Sequence, residues 1–296
     1  MKIGALEAGG TKMVLGIFDG EGAELERLTL PTETPEITMP KMIDFFRAHE
    51  VNALGVGSFG PLDLNPASPT YGYITSTPKL AWRNYPLLSS LAGGRDIPSA
   101  IDTDVNAAII AEVELGAAQG CQSAVYITVG TGVGGGVYIN GQTVHGLLHP
   151  EVGHMLLRPH PDDSNPRGVC PYHDGCLEGL AAGPGLGARV GGDARDLPDD
   201  HPTFEIEAYY LAQMCVNLIL TVSPERIILG GGVMQRKSLF AMVRRETVRL
   251  LNGYVQSPAI LEHIDGYIVQ PELFPVSGLV GSYLIGKRAL VRSTAC

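Results

Sequence analysis

The sequence contains no long apolar run. Uninterrupted stretches such as Ala107 to Ala111 and Ile227 to Leu229 are far short of a bilayer span. The opening residues, MKIGALEAGG, lack the apolar core and cleavage site of a secretory leader, so no signal peptide is expected. Basic residues are also scarce. Lys and Arg number 21 against 31 Asp and Glu, which leaves a formal net charge of −10. That balance argues against nucleic acid or an anionic membrane as the main partner, since such binders carry a basic face. The five cysteines are an odd number and do not resemble the framework of a small disulfide-rich protein. Cys121, Cys215 and Cys296 read as isolated thiols. These absences predict a cytoplasmic protein.

What is present describes a folded chain. Its 296 residues suffice for two domains with separate cores, and 45% hydrophobic against 18% charged residues is a globular balance. Lys2 to Leu6, Met13 to Phe18 and Glu24 to Leu30 read as strands, with Gly9-Gly10 at the first bend and Asp19-Gly20 at the second. Lys41 to His49 has helical spacing, Val51 to Gly57 reads as a buried strand, and residues 61–98 as an ordered irregular excursion. A helix follows from about Val105 to Leu115, preceded by Asp102-Thr103-Asp104 and ended by Gly116. The first pattern then recurs: a strand over Ala124 to Val129, a bend over Gly130 to Gly136, and a strand over Val137 to Ile139. Asn140-Gly141 turns into a third strand, Gln142 to Val144. This recurrence predicts a two-lobed, duplicated α/β architecture. Residues 1–115 form a smaller first lobe, with a closing helix at about 278–296 packing back on it, and residues 116–277 form a larger second lobe.

Glycine lets backbone N–H groups converge on an anion, so Gly9, Gly10, Thr11 and Lys12 form a candidate phosphate cradle. Gly130, Thr131, Gly132 and Gly134 form a second. Either bend could equally be a structural turn. No glycine is followed at Walker spacing by Gly-Lys-Ser or Gly-Lys-Thr, and a strand rather than a helix follows Gly130–Gly136, so neither the P-loop nor the dinucleotide fingerprint fits. A third group, Gly230 to Gly232, lies between the strand Arg226–Leu229 and a helix around Ser238 to Leu251, an arrangement suited to a nucleotide edge. Cys170 to Cys176 reads C-x2-H-x2-C. With His154 upstream it offers Cys170, His173 and Cys176 as partners in a tetrahedral zinc set without an open position, hence a structural ion. A Cys170–Cys176 disulfide is the alternative.

Many of these segments together resemble the repressor, open-reading-frame and kinase (ROK) family, and within it the bacterial fructokinase branch. The resemblance is carried by Glu7–Lys12, Ser58–Pro61, Thr77-Pro78-Lys79 with Trp82, Asp102–Ala107, Gly130–Gly136, Pro150–His154, Cys170–Glu178 and Gly230–Met234. It implies a two-lobed actin-like, ribonuclease-H-like ATPase fold with ATP in the cleft between the lobes. Asp104, in an Asp-x-Asn pattern with Asn106, would be the catalytic base, kept ionised by a helix amino terminus. Capping of that helix by Asp104 or Asp102 is the plainer alternative. The resemblance places Glu151, His154, Glu178, Gly60 and Thr103 at the sugar, and Gly183-Pro184 with Gly231, Gly232, Val233 and Met234 beside adenosine. Three positions depart from the wider family: Thr103 where many members have Asn, and, in the manner of the fructokinase branch, Glu7 where Asp is usual and His173 where most have Cys.

The expected activity is ATP-dependent phosphorylation of a hexose, foremost D-fructose to fructose 6-phosphate, with Mg2+ bridging the phosphates, one structural Zn2+ and a homodimeric assembly. Glucose, mannose or an amino sugar as acceptor, or a sugar-sensing protein without turnover, are the rivals.

Overall fold

The structure, a computed structural model, describes residues 1–294, so Cys296 lies outside the described residues. Strands β1 (Lys2–Ala8), β2 (Lys12–Asp19) and β3 (Glu24–Pro31) are followed by α1 (Pro35–Ala48), β4 (Ala53–Ser58), α2 (Leu87–Ala92), β5 (Ser99–Thr103) and α3 (Asp104–Leu115). Next come β6 (Ala124–Val129), β7 (Val133–Ile139), β8 (Gln142–Thr143), α4 (Leu177–Ala181), α5 (Gly183–Val190) and α6 (Thr203–Thr221). The chain closes with β9 (Arg226–Gly230), α7 (Ser238–Leu251), α8 (Pro258–Leu261), α9 (Ile264–Tyr267), β10 (Ile268–Val269) and α10 (Ser277–Thr294). Among the described residues no helix is long and apolar enough to cross a membrane.

The first sheet runs β3-β2-β1-β4-β5 and the second β8-β7-β6-β9-β10, so each has the order third, second, first, fourth, fifth. In both, the first strand pairs antiparallel with the second and parallel with the fourth. The recurrence read from the glycine bends is therefore a repeat of topology. The expected bend at Gly130–Gly136 is shorter than predicted. β7 already starts at Val133, and Gly134 pairs with Thr128 as a strand residue.

Two compact units result. The first comprises Met1–Leu115, Thr143–His149 and the chain from Leu273 onward; the second comprises Gly116–Gln142 and Pro150–Glu272. Residues 143–149 thus associate with the first unit, not with the 116–277 lobe assigned from sequence. The first unit's sheet is covered on both faces, as alternation along β1 and β2 requires. Leu6, Met13, Leu15 and Ile17 pack with Met42, Phe46 and Leu91 on one side. Ile3, Ala5, Val14 and Phe18 pack with Ala107, Ile110, Leu279 and Tyr283 on the other.

On that second face, backbone meets backbone. A Cβ on Gly55 of β4 would lie 1.9 Å from the Ser282 carbonyl oxygen, and one on Gly281 of α10 would lie 1.7 Å from that of Ala107. No side chain fits between α10, β4 and α3. Replacing Gly281 by Ala should destabilise the protein by about 1–3 kcal/mol or more, visible as a lower Tm in thermal denaturation. Gly266→Ala, where nothing lies within 4 Å, should not lower it.

Candidate functional site

In the first unit the site is built on the junction of β5 and α3. Asp104 is the first helical residue, and its Oδ1 accepts from the Val105 amide at 2.9 Å. The cap is neither Asp104 nor Asp102. Thr103 fills that role, its Oγ1 accepting from the Asn106 amide at 3.1 Å, the ordinary geometry of a threonine N-cap. Thr103 is 4% exposed, so the side chain expected at the sugar is turned to its own helix. Asp102, 5% exposed, accepts from the Thr103 amide at 2.8 Å and from Asn106 Nδ2 at 2.7 Å. Asn106 Oδ1 is buried with no partner among the described residues.

Burial pushes the Asp104 carboxyl up to about 6, against the lowering effect of the Val105 and Asp104 amides. Desolvation therefore outweighs the helix terminus invoked from sequence. Glu7 of β1 rises to about 7, first through burial and then through the charge of Asp104. Its carboxyl accepts from the Leu279 amide at the start of α10. It lies so close to Gly278 that a Cβ there would be 2.7 Å from Cδ.

The two glycine bends have related connections. At the β1–β2 bend, Gly9 N–H donates to the Lys12 carbonyl at 2.9 Å, and Thr32 ties the bend down by donating from Oγ1 to the Gly9 carbonyl at 2.7 Å. Gly10, Thr11 and Lys12 are exposed. A Cβ on Gly10 would come 3.2 Å from Lys79 Cε, which puts a second lysine stem against the bend. Gly60 precedes a cis peptide to Pro61 and packs against His149.

In the second unit, Gly130 N–H donates to the Gly132 carbonyl at 2.9 Å, and Gly183 N–H donates to the Gly130 carbonyl at 2.8 Å. Glu178 of α4 accepts from the Val133 amide at 3.0 Å, so the bend, Gly183 and Glu178 form one cluster. Pro184 sits in the first turn of α5. Gly231 has φ +90°, and a Cβ there would lie 2.4 Å from the Val129 carbonyl oxygen, so only glycine lets the end of β9 lie against β6. Gly232 has open space, whereas Met234 is buried. A 3-10 turn, Val233–Gln235, separates these glycines from α7, which spans Ser238–Leu251 as expected.

Glu151 is exposed just before the short turn Val152–His154. His154, Cys170, His173 and Cys176 converge, their ligand atoms all within 4.8 Å of one another. His154 Nδ1 is 3.9 Å from Cys170 Sγ and 3.8 Å from Cys176 Sγ, and His173 Nδ1 is 3.7 Å from Cys170 Sγ. A tetrahedral zinc with ordinary bond lengths needs N–S edges of about 3.6 Å, and the quartet is close to that. Both thiols are free, so the alternative disulfide does not form.

Several contributors had no signal in the sequence. His145 and Thr143 reach Asp102. Arg189 of α5 bonds Asp163 at 3.3 Å, Glu207 of α6 at 3.2 Å and the Leu180 carbonyl at 2.6 Å, with all three charged side chains at most 4% exposed. Burial pushes the Glu207 carboxyl up to about 8 despite Arg189. The network locks the Gly183–Pro184 helix to α6. Such residues are far apart in sequence and lack a motif. Arg189→Met, by leaving buried acids without their cation, should cost about 3–5 kcal/mol in urea unfolding.

The model of the ROK family matches residues 3–288. The chain is 44% identical over 290 residues to the fructokinase of Pediococcus pentosaceus, covering 98% of this chain and 99% of that one. It is 42% identical to the fructokinase of Zymomonas mobilis subsp. mobilis, covering 97% and 96%. Among solved structures, the ROK hexokinase of Thermus thermophilus superposes with a TM-score of 0.77 at 29% identity, covering 99% of this chain and 100% of that one. The fold is thus the α/β, actin-like fold of these sugar kinases.

Proposed function

The chain belongs to the ROK family, and we propose that within it the protein is a fructokinase, transferring the γ-phosphoryl group of ATP to the 6-hydroxyl of D-fructose. The observation that carries this reading is identity of 42–44% to fructokinases over nearly the whole of each chain. Asp104 accepts the hydroxyl proton as the oxygen attacks phosphorus. Its carboxyl, raised to about 6, is ionised at neutral pH yet basic enough to take a proton in the transition state. Glu151, His154, Glu178 and Gly60 hold sugar hydroxyls in this reading. Thr103 contributes through the helix cap.

The bends Gly9–Lys12 and Gly130–Gly132 hold phosphate through backbone amides, with Lys12 and Lys79 supplying positive charge. Gly183-Pro184 and Gly231–Met234 border adenosine, and Mg2+ neutralises the phosphates when bound. The protein acts as a cytoplasmic homodimer in the same proposal, with no nucleic-acid or membrane partner.

A coupled ADP-release assay over fructose, glucose, mannose and amino sugars tests the activity, with fructose expected to give the highest kcat/KM. Turnover of none of them would sink the kinase reading. Asp104→Asn should lower kcat by roughly 10²-fold or more. Protonation removes the base, so the wild-type rate should fall as pH drops through about 6, and a flat profile down to pH 5 would assign the proton elsewhere.

His154, Cys170, His173 and Cys176 hold a structural zinc in this proposal. The ion fixes the loop between Glu151 and Glu178, and four protein ligands leave no place for a reacting water. Elemental analysis should find about one zinc per chain, lost in Cys176→Ser. Metal-free wild-type protein with full activity would remove the site.

A further inference from the structure

Asp102 is a buried carboxylate that the reaction does not use, yet it is the most heavily bonded acid near the base. Besides the Thr103 amide and Asn106 Nδ2, it accepts from Thr143 Oγ1 at 3.1 Å. His145 Nε2 lies 3.0 Å from Oδ1 and 3.1 Å from Oδ2, a forked contact that needs the proton on Nε2. The hydrogen bond with Asp102 also raises the His145 pKa, which favours the donor form. Thr143 and His145 belong to the segment Thr143–His149, which associates with the first unit although it begins at the last residue of β8. Its far end is pinned as well: His149 Nε2 accepts from the Leu62 amide at 3.1 Å.

We propose that His145 is a positioning residue for the phosphoryl-transfer base, acting through Asp102. Asp102 Oδ1 grips the chain on both sides of Asp104, at the Thr103 amide before it and the Asn106 side chain after it. A carboxylate held on that oxygen alone can still rotate about its last bond. The imidazole N–H, shared between both oxygens, and the Thr143 hydroxyl on Oδ2 stop that rotation. The first turn of α3 is thereby fixed, and with it the aim of the Asp104 carboxyl. Displacing a catalytic group by about 1 Å can cost up to 10²-fold in rate, so this clamp acts on kcat. It has little reason to alter the binding of ATP.

The inference rests on the kinase reading, and the test separates the two. Gln at 145 can place its amide N–H where the imidazole Nε2 sits; Asn, one bond shorter, cannot. With the hexose that wild-type protein turns over best, His145→Asn and His145→Ala should lower kcat by about 10-fold or more with KM for ATP within about twofold, and His145→Gln should recover most of it. Thr143→Val should lower kcat by a smaller factor, restored in Thr143→Ser, and this pair carries the test if the His145 variants do not fold. Wild-type kcat in His145→Asn, or equal losses in Gln and Asn accompanied by a lower Tm, would overturn the proposal and leave His145 as a tether for its segment. A wild-type protein inactive on every hexose would instead defeat the kinase reading itself.

Discussion

Backbone packed on backbone, where α10 crosses β4 and α3, is the constraint from which the first unit's site follows. Gly55, Gly57, Gly281 and Gly286 put no side chain of their own into the contact, and Gly57 would carry its Cβ within 2.8 Å of Ser282 Oγ and Ala107 Cβ. That closeness brings the amino end of α10 to two acids. Glu112, wholly buried, accepts from Ser277 Oγ at 2.7 Å and from the Leu273 amide at 3.0 Å. Glu7 takes the Leu279 amide. With α3 held against the same helix, the charge of Asp104 adds to the rise at Glu7, and burial lifts both carboxyls above the usual carboxylate range.

The length of Glu7 fits this arrangement. Where Asp is usual in the family, the longer side chain here reaches the start of a helix two hundred and seventy residues later in the chain. Its carboxyl is spent in part on holding that helix. At Thr103 the hydroxyl satisfies the Asn106 amide that would otherwise lack a helical partner, as an Asn cap also would, so nothing in the structure explains that departure.

Much of the fold was legible because it depends on local chemistry. Asn140-Gly141 and Asp19-Gly20 mark turns, the apolar runs of β1, β4, β6 and β9 mark buried strands, and Gly116 stops α3. The convergence of His154, Cys170, His173 and Cys176 was legible because three of the four lie within seven residues. What could not be read came from long-range contacts. Nothing near Thr143 signals that it belongs with Asp102, and the glycines 134–136 look like bend residues until β6 is seen to pair with them. The raised pKa of Asp104 is a long-range effect of the same kind. The helix end at Asp104 is visible in sequence, but the burial that outweighs it is a property of the folded chain.

The glycine-lined face also bears on the order in which the polypeptide is made. When the first 115 residues have left the ribosome, Ile3, Ala5, Val14 and Phe18 still lack Leu279 and Tyr283, the residues that cover them in the finished protein. All of the second unit must be synthesised before α10 exists. The first 115 residues therefore wait, with part of that apolar sheet face uncovered, for a segment made only after the whole second unit. Completion of the first unit, and of the seat for Asp104 within it, must await the synthesis of α10.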